Sequence, residues 1–132
     1  MSAGSVPPEL RYTKSHEWVR EEGSEVVVGI TDHAQQELTD IVFVDLPKLG
    51  TELKAGGLAL VLESVKTVAD VYAPVDGRIV GVNESLRAHP ELVNRSPYGD
   101  GWLYRQSRAE TGTPTATLSA NEYAAFVASE AH

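Results

Sequence analysis

Short β-branched and apolar runs, each closed by a turn marked with glycine or proline, recur along this 132-residue chain. Residues 15–20 and 25–30 flank a turn at Gly23, and residues 41–44 run into a turn at 46–50. Residues 58–62 and 68–73 flank the segment Glu63-Ser64-Val65-Lys66-Thr67. A turn at 74–77 precedes the run 78–82, and a tight loop at 97–101 precedes a last strand at 102–104. Strands of this length and spacing predict a mainly β fold, a flattened antiparallel sandwich or barrel.

The period changes in three places, each a predicted helix. Asp32 is positioned to cap a two-turn helix, with Gln35 in capping-box position and Thr39-Asp40 closing it. Pro90 stands at the first turn of a short helix through Glu91, Leu92 and Val93. A C-terminal helix over about 119–130 has a capping box at Ser119 and Glu122, a staple from Leu118 to Tyr123, and one apolar face of Tyr123, Phe126 and Val127. That stripe is narrow, so the helix reads as a peripheral element docked on the sheet after a linker at 111–115. One domain over 1–132 is expected, with its core at about 12–105. A chain of this length buries about two thirds of its unfolded surface and needs no metal or disulfide to fold.

The segment 63–67 fits a hairpin loop of four or five residues, which puts Lys66 near the tip with its amine outward. Such a lysine is either a solvated charge or a handle for covalent modification, and hairpin geometry leaves both open. The absence of cysteine excludes disulfide frameworks, thiolate zinc sites and cysteine nucleophiles. Any thiol chemistry must come from an attached group. A net charge of −8, from 19 acidic and 11 basic residues, argues against nucleic acid and anionic membranes and suits partners with basic patches.

The first ten residues hold no apolar segment, no arginine and one acid, Glu9, so neither secretory nor mitochondrial targeting is expected. No apolar run approaches the ~20 residues of a membrane span, and a cytoplasmic protein is the expectation. Ordinary catalytic patterns are missing. The histidines His16, His33, His89 and His132 form no i, i+4 pair, Gly56-Gly57 precedes a strand, and no serine sits in a Gly-x-Ser-x-Gly elbow. Glu21 and Glu22 read as a solvated turn, His16 as a polar strand-face residue near Trp18, and His33 as a surface residue of the first helical turn. A stand-alone catalyst is not expected.

Glu63-Ser64-Val65-Lys66, followed by Asp70-Val71-Tyr72-Ala73-Pro74-Val75-Asp76-Gly77, resembles the lipoyl-lysine signature of the glycine cleavage system H protein family. The resemblance extends to Tyr12-Thr13-Lys14-Ser15-His16-Glu17-Trp18-Val19 and to Val28-Gly29-Ile30-Thr31-Asp32-His33-Ala34-Gln35. Asp40-Ile41-Val42-Phe43-Val44-Asp45-Leu46-Pro47, Gly50-Thr51 and Pro97-Tyr98-Gly99-Asp100-Gly101-Trp102-Leu103 follow in the family's order.

This likeness implies a lipoyl/biotinyl-type barrel-sandwich hybrid with lipoate joined by an amide to Lys66. It implies a non-catalytic carrier of an aminomethyl group and reducing equivalents. Its partners would be a pyridoxal-phosphate glycine decarboxylase (P protein), a tetrahydrofolate-dependent aminomethyltransferase (T protein) and a flavin dihydrolipoamide dehydrogenase (L protein). A lipoyl ligase or transferase would supply the group, because a free lysine amine, with a reference pKa of about 10.4, needs an activated acyl donor. A carrier visiting several enzymes is most simply a monomer.

Supporting roles follow from the same likeness. Glu63 would mark the hairpin for the lipoylating enzyme, Gly50 and Gly77 would be turn glycines at φ > 0, and His33 would help line a cleft for the loaded arm. Thr39 departs from the family's frequent glycine, Ser96 from its usual acidic residue, and residues 106–118 diverge. Val65 and Thr67 flank Lys66 where a biotin carrier would have methionines. A lipoyl domain of a 2-oxoacid dehydrogenase would usually show Asp before the lysine and lack the flanking motifs. An H-like protein relaying lipoyl groups to other acceptors would look much the same.

Overall fold

The computed structural model describes residues 6–108 and 117–130, so the expected linker at 111–115 lies outside the described residues. In chain order the elements are β1 (Arg11–Tyr12), β2 (Glu17–Glu22), β3 (Glu25–Ile30), α1 (Asp32–Leu38), β4 (Ile41–Asp45), β5 (Glu52–Leu53) and β6 (Leu58–Ser64). Then come β7 (Val68–Tyr72), β8 (Gly77–Val82), α2 (Ser85–Ala88), α3 (Leu92–Arg95), β9 (Tyr104–Ser107) and α4 (Ala120–Glu130). Among the described residues the strands build a six-stranded sheet, ordered β1-β2-β3-β9-β8-β5, and a three-stranded sheet, β4-β6-β7. Every pairing is antiparallel, the mainly β sandwich that the turn spacing predicts.

Strand β3 explains the layering. Successive strand residues face opposite sides, yet Val26, Val27 and Val28 are all buried. Val26 and Val28 join Leu62, Val71 and Ile79 in a core that draws on both sheets. Val27 joins Tyr12, Trp18, Tyr123 and Val127 in a second cluster. A strand covered on both faces is an unbroken apolar run rather than an alternating one.

Helix α4 docks on the sheet as part of that second cluster. The expected capping box is present: the Ser119 N–H donates to Glu122 Oε1 (2.8 Å) and the Glu122 N–H to Ser119 Oγ (3.2 Å). Tyr123 and Val127 are fully buried. Burial of a side chain like that of Val127 contributes roughly 1.5–3 kcal/mol. Leu118 and Tyr12 exchange backbone hydrogen bonds of 2.9 and 2.7 Å, which anchors the entry to α4 on β1.

Local details differ from expectation for physical reasons. Thr31, one residue earlier than Asp32, caps α1, its Oγ1 accepting from the Ala34 N–H. Asp32 is already helical and accepts from the side chains of Gln35 and Gln36. The last strand begins at Tyr104 rather than Trp102, because the Asn83 amide takes the carbonyls of Asp100 (2.7 Å) and Trp102 (2.8 Å). The short helix expected at 90–93 is found as α3, one turn at Leu92–Arg95. Among the described residues no helix is long and apolar enough to cross a membrane.

Gly50 takes φ +86, as a turn glycine should. Gly77 does not adopt positive φ. It opens β8 where the chain presses on β9, and a Cβ there would stand 1.8 Å from the Ser107 carbonyl oxygen. Close approach, not conformational freedom, demands glycine. Gly77→Ala should force the two strands apart and cost roughly 3 kcal/mol, read as a lower urea midpoint. A cost below about 1 kcal/mol would show that the strands separate freely.

Candidate functional site

The β6–β7 hairpin is tighter than the four- or five-residue loop expected. Glu63 pairs with Val68, the Ser64 N–H donates to the Thr67 carbonyl (2.8 Å), and residues 65–67 lie outside the strands. Ser64 Oγ braces the turn from within, accepting from the N–H groups of Lys66 (3.1 Å) and Thr67 (3.0 Å). Lys66 is exposed at the tip. Two bonds tie that tip to the junction of α1 and β4: the Val65 N–H donates to the Asp40 carbonyl (3.0 Å) and Lys66 Nζ to the Glu37 carbonyl (3.1 Å). The second bond places an ammonium at the C-terminal end of a helix, where carbonyls carry partial negative charge.

A cleft of about 160 Å³ opens between α1, β2 and the three-stranded sheet. Ile30, Ala34, Leu38, Leu62, Ala69 and Val71 form its apolar wall, and Ser15, His16, Glu17, Glu37 and Asp70 its polar part. Glu37 therefore both lines the cleft and offers its carbonyl to Lys66. Glu17 is 1% exposed. Its Oε1 accepts from the hydroxyls of Thr13 (2.5 Å) and Ser15 (2.6 Å), and its Oε2 from the Tyr72 N–H (3.1 Å). A buried carboxylate is tolerable only when hydrogen bonds replace the lost water.

His16 is neither on a strand nor on the surface. It occupies the turn before β2 at φ +73, half-buried, with Nδ1 2.8 Å from Tyr123 Oη. That hydroxyl also meets Thr31 Oγ1 (2.7 Å), and His16 Nε2 lies 3.5 Å from Glu130 on α4. His33, expected at the surface, is buried behind His16, the ring centroids 4.9 Å apart, and is not among the residues lining the cleft. Its Nε2 reaches Glu37 at 3.4 Å. Polar contacts at either end, joined by the packed rings of His16 and His33, thus link α4 to the rim beside Lys66.

Glu63 is exposed and stands in a cross-strand row between Phe43 and Val68. Gly50 and Gly77 lie around the β5–β8 pairing, in the other sheet from the Lys66 hairpin. Sequence reasoning missed Ser15, Glu17, Glu37 and Asp70 as cleft residues. One signal was available: Thr13 and Ser15 stand four and two positions before Glu17, a spacing that sets two hydroxyls around one carboxylate. Among the described residues, no group of three or more His, Asp or Glu side chains is arranged to hold a metal ion.

Antiparallel sheets around a shared core, with an exposed lysine on a hairpin tip, place the fold in the lipoyl/biotinyl-type barrel-sandwich class. The family model described as Glycine cleavage H-protein matches residues 10–130. The glycine cleavage system H protein of Enterobacter sp. (strain 638) is 50% identical over 127 residues, covering 96% of this chain and 98% of that protein. That of Geobacillus thermodenitrificans (strain NG80-2) is 52% identical over 123 residues, covering 93% and 97%. The crystal structure of a glycine cleavage system H protein from Mycobacterium marinum superposes with a TM-score of 0.86 at 38% identity, covering 93% of this chain and 99% of that one. The chain belongs to the glycine cleavage H-protein family.

Burial, then the neighbouring His33, pushes the pKa of His16 below its ordinary 6.5, against the weaker opposing pull of Glu130 and Glu37. The unfolded chain binds this proton more readily, so the contribution of His16 to stability is complete above about pH 6.5 and declines as pH falls toward the lower folded value. Urea midpoints should drop between pH 7 and 5, and His16→Asn should flatten part of that drop. An identical pH profile in the variant would remove His16 from the linkage.

Proposed function

We propose that this chain is the lipoyl carrier of the glycine cleavage system, with the lipoyl group joined through an amide to Nζ of Lys66. The observation that carries the reading is the position of Lys66: exposed at a braced hairpin tip, with its amine 3.1 Å from the carbonyl of Glu37, a residue of the cleft. An arm rooted there starts beside the cleft mouth.

The residues suit such a group. The chain has no cysteine, so its sulfur chemistry must be imported. When attached, the lipoyl disulfide supplies thiol–disulfide exchange and a sulfur on which the aminomethyl carbon of glycine travels. Apolar walls exclude water from a hydrocarbon arm, and Glu17, held by three donors, presents a fixed negative charge to a cationic amine. Forming the amide removes one positive charge, taking the formal net charge from −8 to −9.

The protein performs no bond chemistry of its own in this reading. It works with glycine decarboxylase, aminomethyltransferase and dihydrolipoamide dehydrogenase in the cytoplasm and receives its lipoyl group from a ligase or transferase. Tethering raises the effective concentration of the group at each partner, and Glu63 beside the hairpin is a contact for the lipoylating enzyme.

Protein from lipoate-replete cells should show the mass increment of one lipoyl group, mapped to the Lys66 peptide. Lys66→Arg should lose it and fail to support glycine cleavage in the reconstituted system, with an unchanged unfolding midpoint. Wholly unmodified Lys66, or glycine cleavage at wild-type rate with Lys66→Arg, would sink the reading. Glu17→Gln should speed hydrolysis of the loaded aminomethyl group about tenfold, the order of one charge-assisted hydrogen bond. An unchanged rate would remove Glu17 from its protection.

A further inference from the structure

Thr39 ends α1 at φ +62 and ψ −150, a backbone region natural to glycine and costly for a β-branched residue. Such a conformation persists only where its neighbours impose it. One side chain does most of this. Asn94, on α3, donates from Nδ2 to the Thr39 carbonyl (2.7 Å) and to Gln35 Oε1 (3.1 Å), while its Oδ1 accepts from the Ile41 N–H (2.9 Å). The amide thereby spans both sides of the strained residue, and the Thr39 N–H closes the helix on the Gln35 carbonyl (3.0 Å).

The corner held in this way is the one on which the Lys66 hairpin rests. Val65 donates to the carbonyl of Asp40, and Lys66 to the carbonyl of Glu37, so the two contacts bracket Thr39. Glu37 and Leu38, immediately before the corner, line the cleft. Relaxation at Thr39 swings the peptide that follows it and turns the Asp40 carbonyl away from Val65. We propose that Asn94 is a positioning residue: by holding the strained Thr39 corner it sets where the Lys66 hairpin meets the mouth of the cleft. The consequence for a carried group rests on the reading of Lys66 as a lipoyl attachment point. The geometric claim does not.

Both halves can be tested on the same variants. Amide hydrogen exchange is measured on the full unmodified chain as wild type, Asn94→Ala, Thr39→Gly and the double variant. Asn94→Ala should accelerate exchange at Val65 about tenfold, the scale of losing a hydrogen-bonded constraint. The Tyr12 amide, bonded to Leu118 at the second core, should stay within about twofold. Thr39→Gly in the Asn94→Ala background should return Val65 to within about threefold of wild type, because glycine holds this φ without help. Three results overturn the proposal: unchanged exchange at Val65, equal acceleration at Val65 and Tyr12, or no rescue by glycine. If Asn94→Ala does not fold, Asn94→Asp keeps the acceptor for Ile41, removes the donor to Thr39, and is read by the same criteria.

In the lipoylated protein, hydrolysis of the loaded aminomethyl group should quicken about tenfold in Asn94→Ala and recover in the double variant. No change there, with the exchange pattern as expected, overturns the link from corner to cleft. Wild-type protein lacking any modification at Lys66 counts against the proposed function instead, and the exchange measurements still decide the role of Asn94.

Discussion

A six-stranded sheet with apolar side chains on both faces has to be covered twice. In β3 this is plain: Val26 and Val28 point one way and Val27 the other, and none reaches solvent. The three-stranded sheet covers one face and α4, with Leu10 and Tyr12, covers the other. The cleft exists because the first covering stops short at the edge where α1 and the turn carrying His16 intervene. The polar contacts of Tyr123 exist because the second covering reaches the same edge from behind.

The electrostatic arrangement of the cleft follows from its depth. Glu17, within the sheet, has its carboxyl oxygens held by three donors from Thr13, Ser15 and Tyr72. Glu37 and Asp70, at the rim, stay exposed to solvent. A cation entering from outside meets screened charge first and unscreened charge last, so attraction strengthens as water is left behind.

Much of this was readable in advance. Turn residues at regular spacing and β-branched runs are local signals, and they placed β2, β3, β4, β6, β7 and β8, with the capping box of α4. What escaped was set by contacts across long sequence separation. β1 and β5 are two residues each and exist only through their partners. Trp102 looks like a strand residue, but Asn83, nineteen positions away, competes for its carbonyl. His16 and His33 read as surface residues because nothing local reveals that Tyr123 and Glu130 meet His16 from α4 and that the His16 ring in turn packs on His33. Thr39 in place of glycine was visible as a departure, while its meaning depended on Asn94, fifty-five positions on.

The brace inside the Lys66 turn has a mechanical consequence. With Ser64 Oγ bonded to two successive N–H groups and Val65 anchored on Asp40, the hairpin is a stiff post. A group joined to Lys66 would hang from a braced backbone, with its freedom in the lysine side chain and in its own rotatable bonds. The volume it sweeps is then a shell of defined centre and radius. An enzyme that binds anywhere its active site falls inside that shell captures the group without first ordering the protein that bears it. Several unrelated active sites can share one such pivot with no change in its backbone.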